Sequence, residues 1–176
     1  MNRNTKRIVA IVLLVAFGLW LVFTVFPFGG PEGATGEPAT ATKVYEPKFT
    51  YEGDLAFISP EGNDTITEIQ LELAEKPEEI QYGMMYRKSM DANTGMLFFM
   101  GAEENQSFWM KNTYVSLDII YINSKNEVVS IQKNAEPLSE TSLPSEGPAS
   151  LVLEVKGGFC DQFGITKGTK IAFSKN

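Results

Sequence analysis

A 19-residue apolar stretch near the N-terminus constrains this chain more than any other feature. From Ile8 to Phe26 the sequence carries no charged residue. As a helix this stretch would rise roughly 28 Å, close to the ~30 Å hydrocarbon core of a bilayer. The alternative is a cleaved signal peptide with the small residues at 39–41 as its cleavage site, but the stretch is longer than a usual signal-peptide core. We therefore expect a retained transmembrane helix, a signal anchor, over residues 8–26.

The charges on either side of this stretch predict its orientation. Arg3, Lys6 and Arg7 precede it, and no basic residue follows it until Lys43. Cytoplasmic flanks of membrane spans carry the excess of Lys and Arg, so residues 1–7 are predicted to be a cytoplasmic tail. The rest of the chain is then expected to lie outside the cytoplasm, in the cell envelope, as the extracytoplasmic part of a single-pass membrane protein.

The composition of the exported part excludes several functions. All 22 Asp and Glu follow the apolar stretch, against 12 of the 15 Lys and Arg, so this part is acidic and nucleic acid is not an expected partner. The chain has no histidine, which excludes Ser-His-Asp and Cys-His nucleophiles and His-based zinc sites. The lone Cys160 cannot form an internal disulfide and lies too far from the apolar stretch for lipid attachment. We predict no metal and no cofactor.

The exported part divides into a linker and one domain. Residues 27–49 are dense in Gly, Pro, Ala and Thr without apolar periodicity, which predicts a flexible linker. In residues 50–176, short alternating or apolar runs are separated by turn residues, the pattern of a mainly β sandwich or barrel. The predicted strands are Leu55–Ser59, Ile66–Leu73, Gly95–Met100, Ser107–Met110, Leu117–Ile122, Val128–Lys133, Leu151–Val155 and Lys170–Phe173.

Two short helices and one long loop are predicted between these strands. Pro77–Tyr82 begins with a proline and two glutamates, residue types that suit a helix N-terminus. A second, weaker helix is predicted near Phe159–Phe163, between glycines. Asn134–Pro148 has three prolines and no apolar run and is expected to be one surface loop.

Several motifs together resemble a known family. They are Ser107-Phe108-Trp109-Met110-Lys111-Asn112-Thr113, Leu117-Asp118-Ile119-Ile120, Gly83-Met84-Met85-Tyr86-Arg87, Gly95-Met96-Leu97-Phe98-Phe99, and Leu153-Glu154 ahead of Gly157. Over roughly residues 66–173 the chain is similar to the domain of unknown function 192 family. The resemblance implies a small β-barrel-like or jelly-roll-like fold, often behind a signal peptide or anchor, with no established reaction. Met84 and Met100 depart from the usual residues but remain apolar.

The candidate site combines polar side chains with an aromatic ring. Within a strand that includes Trp109, the side chain of Lys111 would share its face. Asp118 lies between apolar neighbours and needs a partner, because a charge removed from water must be paired or hydrogen-bonded. We expect that partner to come from Arg87, Lys111 or the Asn112–Thr113 turn. The candidate ligand-binding residues are therefore Arg87, Trp109, Lys111, Asn112, Thr113 and Asp118.

Three interpretations of this set stay open. The Asp118 pairing can be purely structural. Alternatively, the set lines a pocket for a saccharide or a carboxylate-bearing ligand, with an aromatic platform beside cationic and amide donors. In a third interpretation the site is catalytic, with Asp118 as base or Lys111 as general acid or nucleophile.

Methionines are concentrated in one part of the sequence. Six of the seven fall between Met84 and Met110, a density that in an exported domain permits a Cu(I) site. Core packing is the simpler interpretation, since a flexible thioether fills irregular gaps and neither a histidine nor a second cysteine supports a metal.

The sequence thus predicts a membrane-anchored binding or interaction module with a polar, aromatic-edged site, and no catalytic residue is assigned. The alternatives are a histidine-free envelope enzyme acting on a saccharide or peptide, and a structural partner of another envelope protein.

Overall fold

The computed structural model describes residues 46–62 and 64–176. Within this part of the chain no helix has the length and apolar character needed to cross a membrane. The predicted tail at 1–7 and the predicted span at 8–26 lie outside the described residues, as does most of the predicted linker. Residues 46–49, the end of that linker, lie against the folded domain, where they line its cavities.

Seven strands form one sheet, in the order β5-β4-β6-β3-β2-β1-β7. The pairs are antiparallel except β2 with β3, which are parallel. The strands are β1 Gly53–Ile58, β2 Thr65–Ala74, β3 Thr94–Phe108, β4 Leu117–Ile122, β5 Val128–Ala135, β6 Leu143–Lys156 and β7 Lys170–Lys175. The mainly β class predicted from the sequence is confirmed.

The sheet is strongly curved, since its two edge strands meet at one end. Glu127, just before β5, forms a bridge with Lys170 of β7. Next to it, the N–H of Val128 donates to the carbonyl of Thr169 at 2.8 Å, and the N–H of Ile171 donates to the carbonyl of Asn126 at 2.9 Å. The strands therefore form a single, partly closed sheet and not the two packed sheets of a jelly roll.

Two short helices cover parts of the sheet, and both have the predicted bounds. Helix α1, Pro77–Tyr82, follows β2, and helix α2, Phe159–Phe163, follows β6. Helix α1 ends at Gly83, which has a positive φ of 46°. A Cβ at this position would lie 3.0 Å from Cζ of Phe98. Glycine therefore lets the chain turn off the helix directly against the sheet.

Both faces of the central strands are buried. One face packs a core that includes Leu55, Phe57, Leu97 and Leu153 together with α2. The opposite face packs a second core, built from residues between β2 and β5 that include Met84, Met96, Phe98 and Met110. Three of the clustered methionines are thus buried in this second core, as the packing interpretation predicts, whereas Met85 and Met90 are half-buried.

The predicted strand bounds are wrong in two places. Gly95–Met100 and Ser107–Met110 belong to the same strand, β3, which ends at Phe108 and leaves Trp109 in the following turn. The predicted loop Asn134–Pro148 becomes strand β6 from Leu143 onward. The two prolines of this strand pair with β3 at register shifts. Because fewer hydrogen bonds join the strands there, the missing proline N–H interrupts few of them.

Candidate functional site

Two glutamates lie in one row across three neighbouring strands. The register places Glu72 of β2 beside Met96 of β3, and Met96 beside Glu154 of β6. Side chains paired in register point to the same face of a sheet, so both acids face the second core. Strand spacing of about 4.8 Å puts their Cα atoms about 10 Å apart.

Arg87 forms a buried ion pair with the first of these acids. Its Nη1 lies 2.5 Å from Oε2 of Glu72, and the two side chains are only 9% and 8% exposed. The other oxygen of Glu72 accepts a hydrogen bond from the N–H of Thr50 at 2.8 Å. Both oxygens of this carboxylate are therefore satisfied, which a buried charge requires. Within the described residues, Nε of Arg87 is buried without a hydrogen-bond partner.

Glu154 is buried without a comparable partner. Only 5% of the residue is exposed, and its Oε2 has no hydrogen-bond partner in the described part of the chain. Burial raises its pKa to about 8, against the lowering effects of the Arg87 charge and the Met84 N–H. A carboxyl group with this pKa is mostly protonated at neutral pH, and can act as hydrogen-bond donor or acceptor.

A cavity of about 690 Å³ opens over the Glu72–Arg87 pair, and we call it the main cavity. Its volume is in the range of ligand pockets for small molecules. Its lining combines the ion pair with three further acids and with apolar and aromatic side chains. The lining residues are Pro47, Thr50, Glu52, Glu72, Leu73, Ala74, Glu78, Glu79, Tyr82, Gly83, Met85, Tyr86, Arg87 and Met96.

The residues that precede β1 form part of the wall. Pro47 and Thr50 line the main cavity. Pro47, Glu72 and Arg87 also line a second cavity of about 360 Å³. The N–H of Lys88 donates to Oε1 of Glu46 at 3.1 Å, which ties the start of this segment to the domain.

A smaller cleft, of about 40 Å³, lies beside the main cavity, and we call it the Glu154 cleft. It is formed where the end of α1 meets the turn after β3, and Glu154 is its single carboxyl group. Tyr82, Gly83 and Met85 line both the cleft and the main cavity. The lining residues are Ile80, Gln81, Tyr82, Gly83, Met84, Met85, Phe98, Phe108, Trp109, Thr113 and Glu154.

The structure distributes the predicted site residues over this region. Arg87 lines the main cavity, whereas Trp109 and Thr113 line the Glu154 cleft. Asn112 donates a hydrogen bond from Nδ2 to the Tyr86 hydroxyl at 3.0 Å, so it supports an aromatic residue of the main cavity.

Lys111 lines neither of these two spaces. Its Nζ lies 5.1 Å from the centroid of the Trp109 ring and 3.4 Å from Oε1 of Glu140. The cation–π contact joins it to one wall of the cleft.

Asp118 lies apart from the other predicted site residues. Its oxygens accept hydrogen bonds from the backbone N–H groups of Asn134 at 2.7 Å, Gly158 at 3.2 Å and Cys160 at 2.8 Å. The prediction that Arg87 or the Lys111–Thr113 segment provides the partner of Asp118 is therefore wrong. The side chain points to the α2 face of β4, and within the described residues its hydrogen bonds come from backbone donors.

Sequence reasoning missed Glu72 and Glu154. Both lie within apolar strand segments, LELA and LVLEV, so each shows the signal used for Asp118, a carboxyl group in a buried strand. The tyrosines of the main cavity, Tyr82 and Tyr86, gave no such signal because they lie in and after a short helix.

Comparison with protein families identifies the chain. The model of DUF192, described as an uncharacterised ACR, matches residues 58–173. The chain belongs to this family. No curated protein sequence matches it.

Two solved structures share the fold of this DUF192 domain. One, from Sinorhizobium meliloti, is described as a proposed transcription regulator; it is 33% identical, with a TM-score of 0.66 over 72% of this chain and 98% of that one. The other is a protein of unknown function from Novosphingobium aromaticivorans, 34% identical, with a TM-score of 0.63 over 68% of this chain and 83% of that one. Neither description assigns a ligand.

Proposed function

We propose that this protein is a membrane-anchored, extracytoplasmic binding module whose ligand occupies the main cavity. The observation that carries the proposal is a cavity of about 690 Å³ built over a buried ion pair, in which both oxygens of the Glu72 carboxylate are satisfied. These contacts hold the carboxylate in place before any ligand arrives, which lowers the entropy cost of binding. The apolar stretch at 8–26, with its basic N-terminal flank, supports the anchor and the extracytoplasmic location.

The charges around the main cavity disfavour a carboxylate-bearing ligand. Among the described residues, four glutamates line it, and the one cation there, Arg87, is already paired with Glu72. An anionic ligand would meet repulsion from the acids and would have to compete for the guanidinium. A neutral or cationic ligand avoids both costs.

The side chains at the rim favour a saccharide. Tyr82 is 58% exposed and Tyr86 36% exposed, so both offer ring surface to a ligand. Sugars combine apolar C–H faces with hydroxyl donors, which match aromatic rings and carboxylate acceptors. Asn112 fixes the Tyr86 hydroxyl through its 3.0 Å hydrogen bond, which gives that ring a defined position.

Isothermal titration of the full-length protein in detergent micelles tests this assignment. Neutral oligosaccharides are titrated against dicarboxylates of similar size. We expect saturable binding of the neutral sugars, and loss of that binding on Tyr86→Ala, which removes an aromatic ring from the rim of the cavity. Lys125→Gln, at an exposed turn between β4 and β5, is the control. Tighter binding of the dicarboxylates, or sugar binding unaffected by Tyr86→Ala, would contradict the proposal.

The location is tested separately by protease added to intact spheroplasts. We expect degradation of residues 50–176, because the domain faces outward. Protection of the domain in spheroplasts, followed by degradation after lysis, would place it in the cytoplasm.

A second candidate function is acid–base catalysis on an envelope saccharide. Its support is that Glu154, with a pKa of about 8, lies on the same face of the sheet as Glu72, which forms an ion pair with Arg87. Acid–base enzymes commonly use two carboxyl groups whose environments differ. Cleavage of a bound oligosaccharide that Glu154→Gln abolishes would establish catalysis, and intact ligand after prolonged incubation would exclude it.

A further inference from the structure

The Glu154 cleft has the properties of a binding site in its own right. Its single carboxyl group is buried, and the unpartnered Oε2 belongs to a residue that lines the cleft. The other walls are largely aromatic and thioether side chains, with Tyr82 and Trp109 at the exposed side and Met84 buried behind them. A hydrogen-bond donor that enters this cleft can donate to Oε2 of Glu154.

We propose that the Glu154 cleft binds a primary ammonium group, so that the ligand of the main cavity is an amine-bearing saccharide. The inference rests on the proposed function for the body of that ligand, since Tyr82, Gly83 and Met85 join the two spaces. The cleft itself would bind a small ammonium ion even if the main cavity bound no saccharide.

The size of the cleft limits what enters. A volume of about 40 Å³ is about three times the roughly 10–15 Å³ that one water molecule needs by the same kind of measure, so the cleft accommodates a group of a few heavy atoms. An ammonium or aminomethyl group fits these dimensions, whereas a sugar ring does not. Gly83 contributes to this space, because a Cβ at that position would lie 3.6 Å from Oε2 of Glu154.

The walls favour a cation over a neutral group of the same size. Aromatic faces attract ammonium ions, most strongly when the ion is removed from water. The Trp109 ring already holds one, since Nζ of Lys111 lies 5.1 Å from its centroid. A cation in the cleft would supply the partner that Glu154 lacks, as Arg87 does for Glu72.

The groups around Glu154 decide how binding depends on pH. Arg87, after α1, is the cation whose charge acts on it, and it is already paired with Glu72 of β2. From β4 the facing titratable group is Tyr121, whose pKa burial and the Glu154 charge raise. The side chains of β3 around Glu154 are uncharged, namely Met96, Phe98 and Phe108. An ammonium group therefore favours the ionised form of Glu154, and binding below pH 8 releases a proton.

Fluorescence of a Trp20→Phe variant provides the test. The chain has 2 Trp, so Trp109 alone then reports on the cleft. The full-length protein in detergent is titrated with methylammonium chloride, and with methanol as a neutral molecule of the same size. We expect a saturable change with methylammonium alone. Its affinity should rise about tenfold from pH 6 to pH 7 and level off above pH 8.

A second variant and a proton count complete the test. Glu154→Gln should weaken methylammonium binding at least about tenfold and remove its pH dependence. In weakly buffered solution at pH 6.5, the protein with native Glu154 should release about one proton per methylammonium bound. Absence of saturation, pH-independent affinity, or unchanged binding by Glu154→Gln would each overturn the inference.

These outcomes separate the inference from the proposed function. Tyr86 lines the main cavity and not the Glu154 cleft, so Tyr86→Ala should abolish binding of neutral sugars and leave methylammonium binding intact. Sugar binding without methylammonium binding would refute the ammonium site and retain the binding module. Methylammonium binding without any saccharide binding would refute the binding module and retain the ammonium site.

Discussion

Asp118 and Glu154 are two buried carboxyl groups on neighbouring strands, but they differ in the direction of their side chains and in their hydrogen bonds. In the β4–β6 register Glu154 lies beside Ile119, and Asp118 lies beside Val155, so the two side chains point to opposite faces of the sheet. Asp118 accepts three backbone hydrogen bonds and joins the end of β5 to the start of α2. Glu154 keeps an unpartnered oxygen beside a cleft.

The difference shows what separates a structural acid from a candidate functional acid. Both sit among apolar neighbours, so burial alone does not distinguish them. The distinction lies in the hydrogen-bond donors: backbone N–H groups satisfy Asp118, whereas Oε2 of Glu154 has no donor among the described residues. The predictions below test this contrast, beginning with the largest effect.

Arg87→Met should cost about 3–5 kcal/mol of unfolding free energy, because it leaves Glu72 as a buried carboxylate without its cation. Urea denaturation of the full-length protein followed by circular dichroism measures the loss. The double variant Glu72→Gln with Arg87→Met should recover much of it. A cost below about 1 kcal/mol would show that the pair is not buried as described.

Asp118→Asn should cost about 2–3 kcal/mol, since the new amide group places a donor where backbone N–H groups already donate. The same denaturation experiment applies. Asp161→Asn is the control, because Asp161 is an exposed acid on α2, the helix that Asp118 contacts, and is paired with Lys133. Equal midpoints for the two variants would mean that Asp118 does not hold α2 in place.

Glu154→Gln should change the pH dependence of stability. The folded pKa of about 8 lies above the ordinary value of 4.5, so the folded state binds more protons than the unfolded state between these values. The stability that Glu154 contributes therefore falls as pH rises, by roughly 1.4 kcal/mol from pH 6 to pH 7 relative to Glu154→Gln. Parallel stability curves for the two proteins would show that Glu154 does not bind a proton in the folded state over this pH range.

Lys111→Gln should change the unfolding free energy by no more than about 0.5 kcal/mol. Its ion pair with Glu140 is exposed on both sides, with side chains 41% and 62% accessible. A much larger loss would show that the stacking of Lys111 on Trp109 contributes to the cleft wall and not only to the surface.

Local patterns predicted the elements but not how the elements meet. Two elements have the predicted bounds, Pro77–Tyr82 and Leu117–Ile122. The residues that begin and end the helix, and the apolar run of the strand, are local signals that the sequence shows directly. β6 was partly missed because its prolines are tolerated only through register shifts with β3, a partner distant in sequence. Pairing of this kind has no local signature.

The candidate site shows the same limit. The need of Asp118 for hydrogen bonds was predictable from its apolar neighbours, whereas its donors, which include Asn134 and Cys160, come from segments brought together by the sheet. Glu72 and Glu154 become a pair only through their common neighbour Met96. Their relation depends on a parallel strand pairing, which the sequence did not reveal.

The attachment of residues 46–50 to the cavity wall has a mechanical consequence. Thr50 is hydrogen-bonded to the carboxylate that pairs with Arg87, and Glu46 is hydrogen-bonded to the backbone of Lys88. Tension transmitted along the chain from its N-terminal side acts first on these contacts, before it reaches β1. If the main cavity binds a ligand as proposed, contacts of that ligand with Pro47 and Thr50 would add to the resistance, and the occupied domain would withstand a greater pulling force than the vacant one.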